Sequence, residues 1–448
     1  MSLRETLTAS KRLASRRLWG VRASVGLADI ARGAALSGAD VAGRSVLLRV
    51  GDPLYAALAL VDLDGVARRI VLCPPDLGDE ALPGVIETAG VEVVASDGPP
   101  PLAASHLAFA PIASPVHALE GPPPAPIATE WVMFTSGTSG PPKMVAHTLA
   151  GLTGAIKPAA ADAPPPTWAT FYDIRRYGGL QILLRALLGE GSMLLTSPAE
   201  PMAGFLGRIA RHGATHVTGT PSHWRRVLMS PEAAAIAPDY VRLSGEIADQ
   251  AVLDALKVRF PGVPVGHAYA STEAGVGFEV NDGLEGFPAG YIGRPGEVEI
   301  KVEDGSLRLR SPRTAGGYLG QGVLMDADGF VDSGDMVELR GARYHFIGRR
   351  NGVINVGGLK AHPEEIEAVI NRHPDVRACR VGGRRNPITG AIVVAEVVLR
   401  DGADEAQVRT EIAESCRAEL APFKSPAMIK FVPALAMTAG GKLERAVA

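Results

Sequence analysis

The chain has 448 residues, 46% of them hydrophobic and 21% charged, which is the composition of an ordinary globular enzyme. A formal net charge of −3 argues against a protein held to nucleic acid by phosphate neutralisation, and no run of about 18 apolar residues offers a membrane span. The length exceeds what one hydrophobic core supports, so more than one domain is expected.

The opening stretch MSLRETLTASKRLASRRLWG is basic and lacks the apolar centre of a secretory signal, and a basic surface helix is expected there. Residues 44–75 read as strand, helix, strand: RSVLLRV, PLYAALALVDLDGVA, RRIVLC. Cys73, Cys379 and Cys416 lie far apart with no CxxC, which fits buried thiols in a reducing, cytoplasmic compartment. The stretch from Gly98 to Pro126 is rich in Pro and Ala and reads as an irregular connection, as does Ala159 to Pro166.

Between them lies the most informative segment, WVMFTSGTSGPPKMVAHT from Trp131 to Thr148. An apolar strand enters a loop of small residues, Thr135, Ser136, Gly137, Thr138, Ser139 and Gly140, that closes on Lys143. Glycine lets such a backbone turn its N–H groups toward an anion, and hydroxyls and an ammonium add donors suited to phosphate. A Walker loop would run from its lysine straight into a helix, whereas here Pro141 and Pro142 precede the lysine. Only nine lysines occur in the chain, and none lies between Lys11 and Lys143.

The strand–helix alternation then continues. PMAGFLGRIARHG is a helix closing at Gly213, with Phe205, Leu206 and Ile209 on one face, and ATHVTGT is the next strand. Tyr269-Ala270-Ser271-Thr272-Glu273 follows a strand-like VPVGHA, and a hydroxyl beside a carboxylate can serve a phosphate and its Mg²⁺ together. After about residue 285 short strands and turns take over, and GFVDSGD offers Asp335 as an acceptor for two ribose hydroxyls. The run GRRNGVINVGG, Gly348 to Gly358, marks a domain boundary near 348–351. Beyond it a compact α+β unit is expected, with a helix starting at Pro363, the strand AIVVAEVVLR and the helix AQVRTEIAESCRAEL. Thr438-Ala439-Gly440-Gly441-Lys442 places a glycine-flanked lysine near the end. Singly, each of these motifs reads as a turn or a solvated tail.

Taken in order, the motifs resemble those of the adenylate-forming superfamily: acyl- and aryl-CoA synthetases, peptide-synthetase adenylation domains and luciferases. The resemblance implies an α/β fold, with a large N-terminal domain (1–348, somewhat shortened before the phosphate loop) and a small mobile α+β domain (351–448). It implies that Thr135 to Lys143 holds the β- and γ-phosphates of ATP, Thr272 the α-phosphate and Glu273 the Mg²⁺. Gly245, Glu246 and Ile247 match the adenine-pocket segment, Tyr269 would stack on adenine, and Asp335 and Arg349 match the ribose pair. Asn351 falls at the hinge, Lys442 matches the lysine that reaches in during adenylation, and Gly358 matches the glycine of the thiol tunnel. The implied reaction is activation of a small carboxylic acid to an acyl-adenylate, followed by transfer to CoA. The alternatives are a carrier-protein phosphopantetheine acting in trans, since only LERAVA follows the lysine motif, or an amide product. A non-catalytic nucleotide binder would have no need of Lys442.

One segment departs from the family pattern. In TFYDIRRYGG, Arg175 occupies the place of the usual His or aromatic residue of the acid pocket, beside Tyr172, Arg176, Tyr177 and Gly178. Arg175 and Arg176 could meet a polar group of the substrate, or pair with Asp173 and steady the loop. His216 and His223 are expected to be structural or pocket-wall residues rather than a base.

Overall fold

The structure is a computed structural model that describes residues 1–119, 125–135, 143–157, 164–320, 322–387, 389–438 and 442–444. Among these residues the strands form four sheets. In the first, Ser45–Leu48 pairs in parallel with Arg69–Leu72 and Val93–Ser96, and Glu130–Phe134 and Ala108–Ala118 extend it on either side. Met144–Thr148 and Gly33–Leu36 join it antiparallel, and Gly317–Tyr318 forms the edge beyond Met144–Thr148. All four residues of Ser45–Leu48 are buried, as a parallel strand covered on both faces requires.

The second sheet carries six parallel strands in the order Val265–Ser271, Tyr240–Ser244, His216–Gly219, Thr167–Thr170, Ser192–Leu195 and Arg17–Trp19. Gly275–Val280 and Ser24–Gly26 are its antiparallel edges. Two helices join the sheets. Pro53–Leu63 begins where the Asp52 carboxylate accepts the Leu54 N–H at 2.8 Å, with Pro53 in the first turn. Tyr177–Leu188 is the other, and one apolar cluster binds Leu60 and Leu183 to Val46 and Leu72 of the first sheet and Trp168 and Leu195 of the second. Met202–His212 ends at Gly213, whose φ of 59° is the left-handed stop read from the sequence.

Two expectations are corrected. The N-terminal segment is no surface helix: Leu3–Thr8 buries Leu3, Arg4 and Leu7, and Arg17–Trp19 enters the second sheet. Arg16 is 1% exposed because its guanidinium donates to the carbonyls of Ala186, Leu187 and Gly191, closing the end of Tyr177–Leu188. The connection Gly98–Pro126 contains the 11-residue strand Ala108–Ala118. Pro111 is tolerated there because the strand changes partner, pairing with Val93–Ser96 up to Pro111 and with Gly33–Leu36 from Ile112 onward. Most of Ala159–Pro166 lies outside the described residues.

A five-stranded antiparallel sheet, including the hairpin Val331–Arg340 and Arg343–Arg349, follows. The last sheet, its helices Pro363–Ile370 and Glu405–Glu419, and its core of Ile366, Val381, Val397, Ile412 and Cys416 draw only on residues from Ile354 onward. The chain is thus a large N-terminal α/β unit and a small C-terminal one. All three cysteines are free and buried, and no helix among the described residues is long and apolar enough to cross a membrane.

Candidate active site

Parallel α/β sheets bind ligands beyond the carboxyl ends of their strands. Here Phe134, Thr170, Gly219, Ser244 and Ser271 all end parallel strands, and the segments after all five (Thr135, Tyr172, Pro221–Ser222, Gly245 to Ile247, Thr272–Glu273) border one cleft between the N- and C-terminal units. Its volume is 2150 Å³, beyond the roughly 300–1,000 Å³ of a single small-molecule pocket, so it has room for two substrates at once.

Ser136, Gly137, Thr138, Ser139 and Gly140 lie outside the described residues. The two ends of their loop are pinned, since Thr135 N–H donates to Lys143 O at 2.9 Å. The Lys143 ammonium stands 5.5 Å from the centroid of the Tyr318 ring, on a strand paired with Met144–Thr148. Tyr318 was not singled out from the sequence, because only that strand pairing brings it to the loop.

Thr272 and Glu273 sit in the turn between Val265–Ser271 and Gly275–Val280. His147, also missed, fixes that turn: its Nε2 lies 2.7 Å from the Thr272 carbonyl, so the ring donates through Nε2. Its burial holds its pKa below the usual value and keeps it neutral. On the other side Ala315 N–H donates to Glu273 O at 2.9 Å. Burial raises the Glu273 carboxyl pKa, Arg349 and Lys143 pull it back, and Asp335 adds to the rise. Among the described residues no cluster of three or more His, Cys, Asp or Glu could hold a metal alone. One desolvated carboxylate within reach of the Lys143 charge fits Mg²⁺, which takes one or two carboxylates and fills its shell with phosphate oxygens and water.

Asp335 is held by two neighbours. Tyr269 donates its hydroxyl to Oδ2 at 2.6 Å, and Arg349, its partner across the hairpin, donates Nε to Oδ1 at 2.8 Å. The Tyr269 ring lies nearly parallel to Phe278 and Phe346, at centroid distances of 5.5 and 5.4 Å. Each oxygen of Asp335 keeps acceptor capacity, because a carboxylate offers about four lone-pair sites. Asn351 is exposed in the turn Arg350–Gly352 that leads out of the hairpin.

The segment Gly245–Ile247 follows the strand Tyr240–Ser244. Gly245 has φ of 84°, in the left-handed region, and a Cβ there would lie 3.4 Å from Cε of Lys442. Lys442 therefore enters the cleft beside Gly245. Desolvation lowers its pKa, opposed by Glu246 and Asp335 and reinforced by Arg349 and Arg176. Gly358, by contrast, is exposed in the turn after Val356, its N–H bonded to Asn355 Oδ1 at 2.9 Å, and does not border the cleft.

At the acid-pocket segment the two arginines part. Arg175 is 1% exposed: Nε and Nη2 reach the Asp173 carboxylate at 2.8 and 2.6 Å, and Nη1 donates to the carbonyls of Val50 and Gly51. With its donors so committed, Arg175 is a strut, and its expected place in the substrate pocket is corrected. Arg176 borders the cleft, pairs at its rim with Asp76, and leaves Nε without a partner. Tyr172 and Tyr177 are buried walls; the Tyr172 hydroxyl lies 2.9 Å from Ser244 Oγ, and Gly178, in the first turn of Tyr177–Leu188, lies against the Tyr172 ring. His223 packs against Phe171 and caps its own helix, and His216 lies between Trp168 and Tyr240.

Fold and cleft define a two-domain α/β enzyme built around a nucleotide-sized site. The family model of the AMP-binding enzymes matches residues 64–320, more than half of the chain, and that of the AMP-binding enzyme C-terminal domain matches residues 365–442. The chain belongs to the AMP-binding enzyme family. It is 28% identical over 329 residues to a 2-succinylbenzoate–CoA ligase of Listeria monocytogenes, covering 70% of this chain and 68% of the relative. It is 27% identical over 406 residues to a sulfoacetate–CoA ligase of Cupriavidus necator, covering 84% and 77%. In fold it is similar to the amide bond synthetase McbA of Marinactinospora thermotolerans, with a TM-score of 0.78, 21% identity, and coverage of 99% of this chain and 97% of that one.

Proposed function

We propose that the protein is an AMP-forming acid–thiol ligase that activates a small carboxylic acid with ATP and passes it to the thiol of CoA. The observation that carries this reading is the meeting of Lys442 with Gly245 in the same cleft as Glu273, Asp335 and Lys143. The curated relatives named above, both CoA ligases, support the choice of acceptor.

A carboxylate is a poor electrophile because its oxygen does not depart at neutral pH. In the first half-reaction a carboxylate oxygen attacks the α-phosphorus of ATP, and the bond to the β-phosphate breaks with release of pyrophosphate. The loop Thr135–Lys143 and Lys442 stabilise the charge that develops on the phosphoryl oxygens, and no general base is needed. Thr272 contacts the α-phosphate, Asp335 and Arg349 hold the ribose, and Tyr269 with Gly245, Glu246 and Ile247 borders the adenine. Glu273 would hold Mg²⁺, which would supply charge neutralisation at the phosphates. Tyr172, Tyr177 and Gly178 wall the acid, with Arg176 facing its far group. In the second half-reaction the thiolate sulfur attacks the carbonyl carbon and AMP leaves with the bonding pair. Residues 351–448 rotate about Asn351 and bring Gly358 to the thiol channel. The three reduced cysteines suit the cytoplasm.

Acid-dependent exchange of labelled pyrophosphate into ATP, measured across a panel of aromatic, dicarboxylic and sulfonated acids, tests the first step. Adding CoA, or an amine in its place, to the positive cases tests the second. Exchange followed by a thioester is expected. Exchange followed only by an amide would assign the alternative acceptor, and ATP binding without exchange for any acid would overturn the reading.

A further inference from the structure

Among the described residues, a carboxylate of the N-terminal unit holds the segment that carries Lys442. Met437 and Leu443 form a β-bridge, and Thr438 closes the turn through its N–H and hydroxyl to Lys442 O, at 2.8 and 3.2 Å. Across 197 residues of sequence, Leu443 N–H donates to Glu246 Oε1 at 3.0 Å. The other oxygen, Oε2, accepts the N–H of Ser222 at 3.0 Å. Ser222 stands in the first turn of Pro221–Met229, where backbone N–H groups have no partner within the helix. Glu246 is therefore clamped from its own domain by a helix terminus, and its free oxygen is presented to the arriving hairpin. Three residues on, Asp249 holds Arg225 and stands 3.5 Å from the amide nitrogen of Asn371 at the end of Pro363–Ile370. Two hydrogen bonds from the C-terminal unit thus land on one short segment.

We propose that Glu246 is a positioning residue for Lys442, docking the lysine hairpin through the Leu443 N–H so that the ammonium reaches the reacting phosphate only in this arrangement of the domains. The proposal rests on the ligase reading above and adds to it a role for the Glu246 side chain distinct from lining the adenine site. Its charge has a second effect. The groups facing Lys442 are Glu246 and Asp335, which favour its proton, and Arg349 and Arg176, which oppose it together with desolvation. Removing the negative charge at Glu246 lets Lys442 lose its proton at lower pH, so the alkaline limb of the adenylation rate moves down.

The test uses the full chain with Glu246→Ala and Glu246→Gln, after pyrophosphate exchange has been established for the unaltered protein. Glu246→Ala should lower exchange on the order of 10- to 100-fold, the scale of a misplaced catalytic group. Thioester formation from a supplied acyl-adenylate and CoA, at saturating concentrations, should fall far less than exchange does. Glu246→Gln keeps the shape and one acceptor oxygen, so it should lose less rate while still moving the alkaline limb to lower pH. Equal loss in both half-reactions, or a raised KM for ATP with exchange otherwise intact, would overturn the positioning role. So would an alkaline limb that stays in place in Glu246→Gln. Absence of exchange in the unaltered protein would instead overturn the ligase reading.

Discussion

Adjacent residues of one type can have opposite fates, and Arg175 and Arg176 are such a case. The sequence offers two arginines and one aspartate two positions before the first, and leaves open which arginine is spent on structure. The answer depends on the carbonyls of Val50 and Gly51, about a hundred and twenty residues away in sequence, which no local pattern reveals. Removing Arg175 strands Asp173 as a buried charge without its partner, a loss of about 3–5 kcal/mol. Arg175→Ala should therefore lower the midpoint of thermal unfolding and scale down every acid alike. Arg176 pairs with Asp76 where both are partly exposed, a contact of small worth. Arg176→Ala should leave the unfolding midpoint near its original value. If its unpaired Nε meets an anionic substrate group, the variant loses a charge-assisted hydrogen bond of about 1.5–3 kcal/mol. That is about a 10- to 100-fold rise in KM for the best acid of the panel, with the KM for ATP unchanged. Uniform kinetic losses in Arg176→Ala would make it a second strut.

At the scale of elements, legibility followed the strength of the local signal. Pro53–Leu63, Met202–His212 and Pro363–Ile370 all have a proline start, a left-handed glycine stop or a clean apolar stripe, and all are where the sequence placed them. Arg17–Trp19 and Ala108–Ala118 were not legible. The first has three residues and is ordered by its neighbours; the second contains prolines that sequence patterns read as breakers. The helix Pro221–Met229 shows a subtler local device. Thr220 Oγ1 accepts the His223 N–H at 3.1 Å, and His223 Nδ1 lies 3.2 Å from the Thr220 N–H and 2.9 Å from its hydroxyl. Nδ1 must accept from that N–H, so the ring works as a cap only when neutral, and burial brings its pKa down to about 4. An unfolded histidine takes up its proton near pH 6.5. The unfolded state therefore binds more protons than the folded one between those values, and stability is lost as pH falls from about 6.5 toward 4. In His223→Gln, denaturant unfolding followed over that range should show a shallower decline than in the original chain. An identical slope would mean that His223 contributes none of the acid sensitivity.

For the whole molecule, the order of the motifs along the chain was legible and their meeting in space was not. Sequence spacing could not say that Lys442 would stand beside Gly245 while Gly358 stayed in solvent, because that choice is made by a few contacts such as Leu443 to Glu246. A cleft that holds one of the two groups and excludes the other suits a cycle in which each half-reaction has its own arrangement of domains. This makes two opposite predictions for the same small domain. Lys442→Ala removes the cation proposed to meet the reacting phosphates in this arrangement, and pyrophosphate exchange should fall by about a hundredfold or more. Thioester formation from supplied acyl-adenylate should survive, since the proposed second step does not use the lysine. Gly358→Leu should do the reverse. The residue is exposed here with φ of 87°, so a side chain costs about 1–3 kcal/mol of local strain and meets nothing in the cleft. Exchange should continue, while the thioester step, in which the proposed rotation brings position 358 to the thiol channel, should be blocked. Single-turnover measurement of both half-reactions in both variants decides the matter. If Lys442→Ala and Gly358→Leu impair the same half-reaction, the two groups share one arrangement, and the C-terminal domain need not rotate at all.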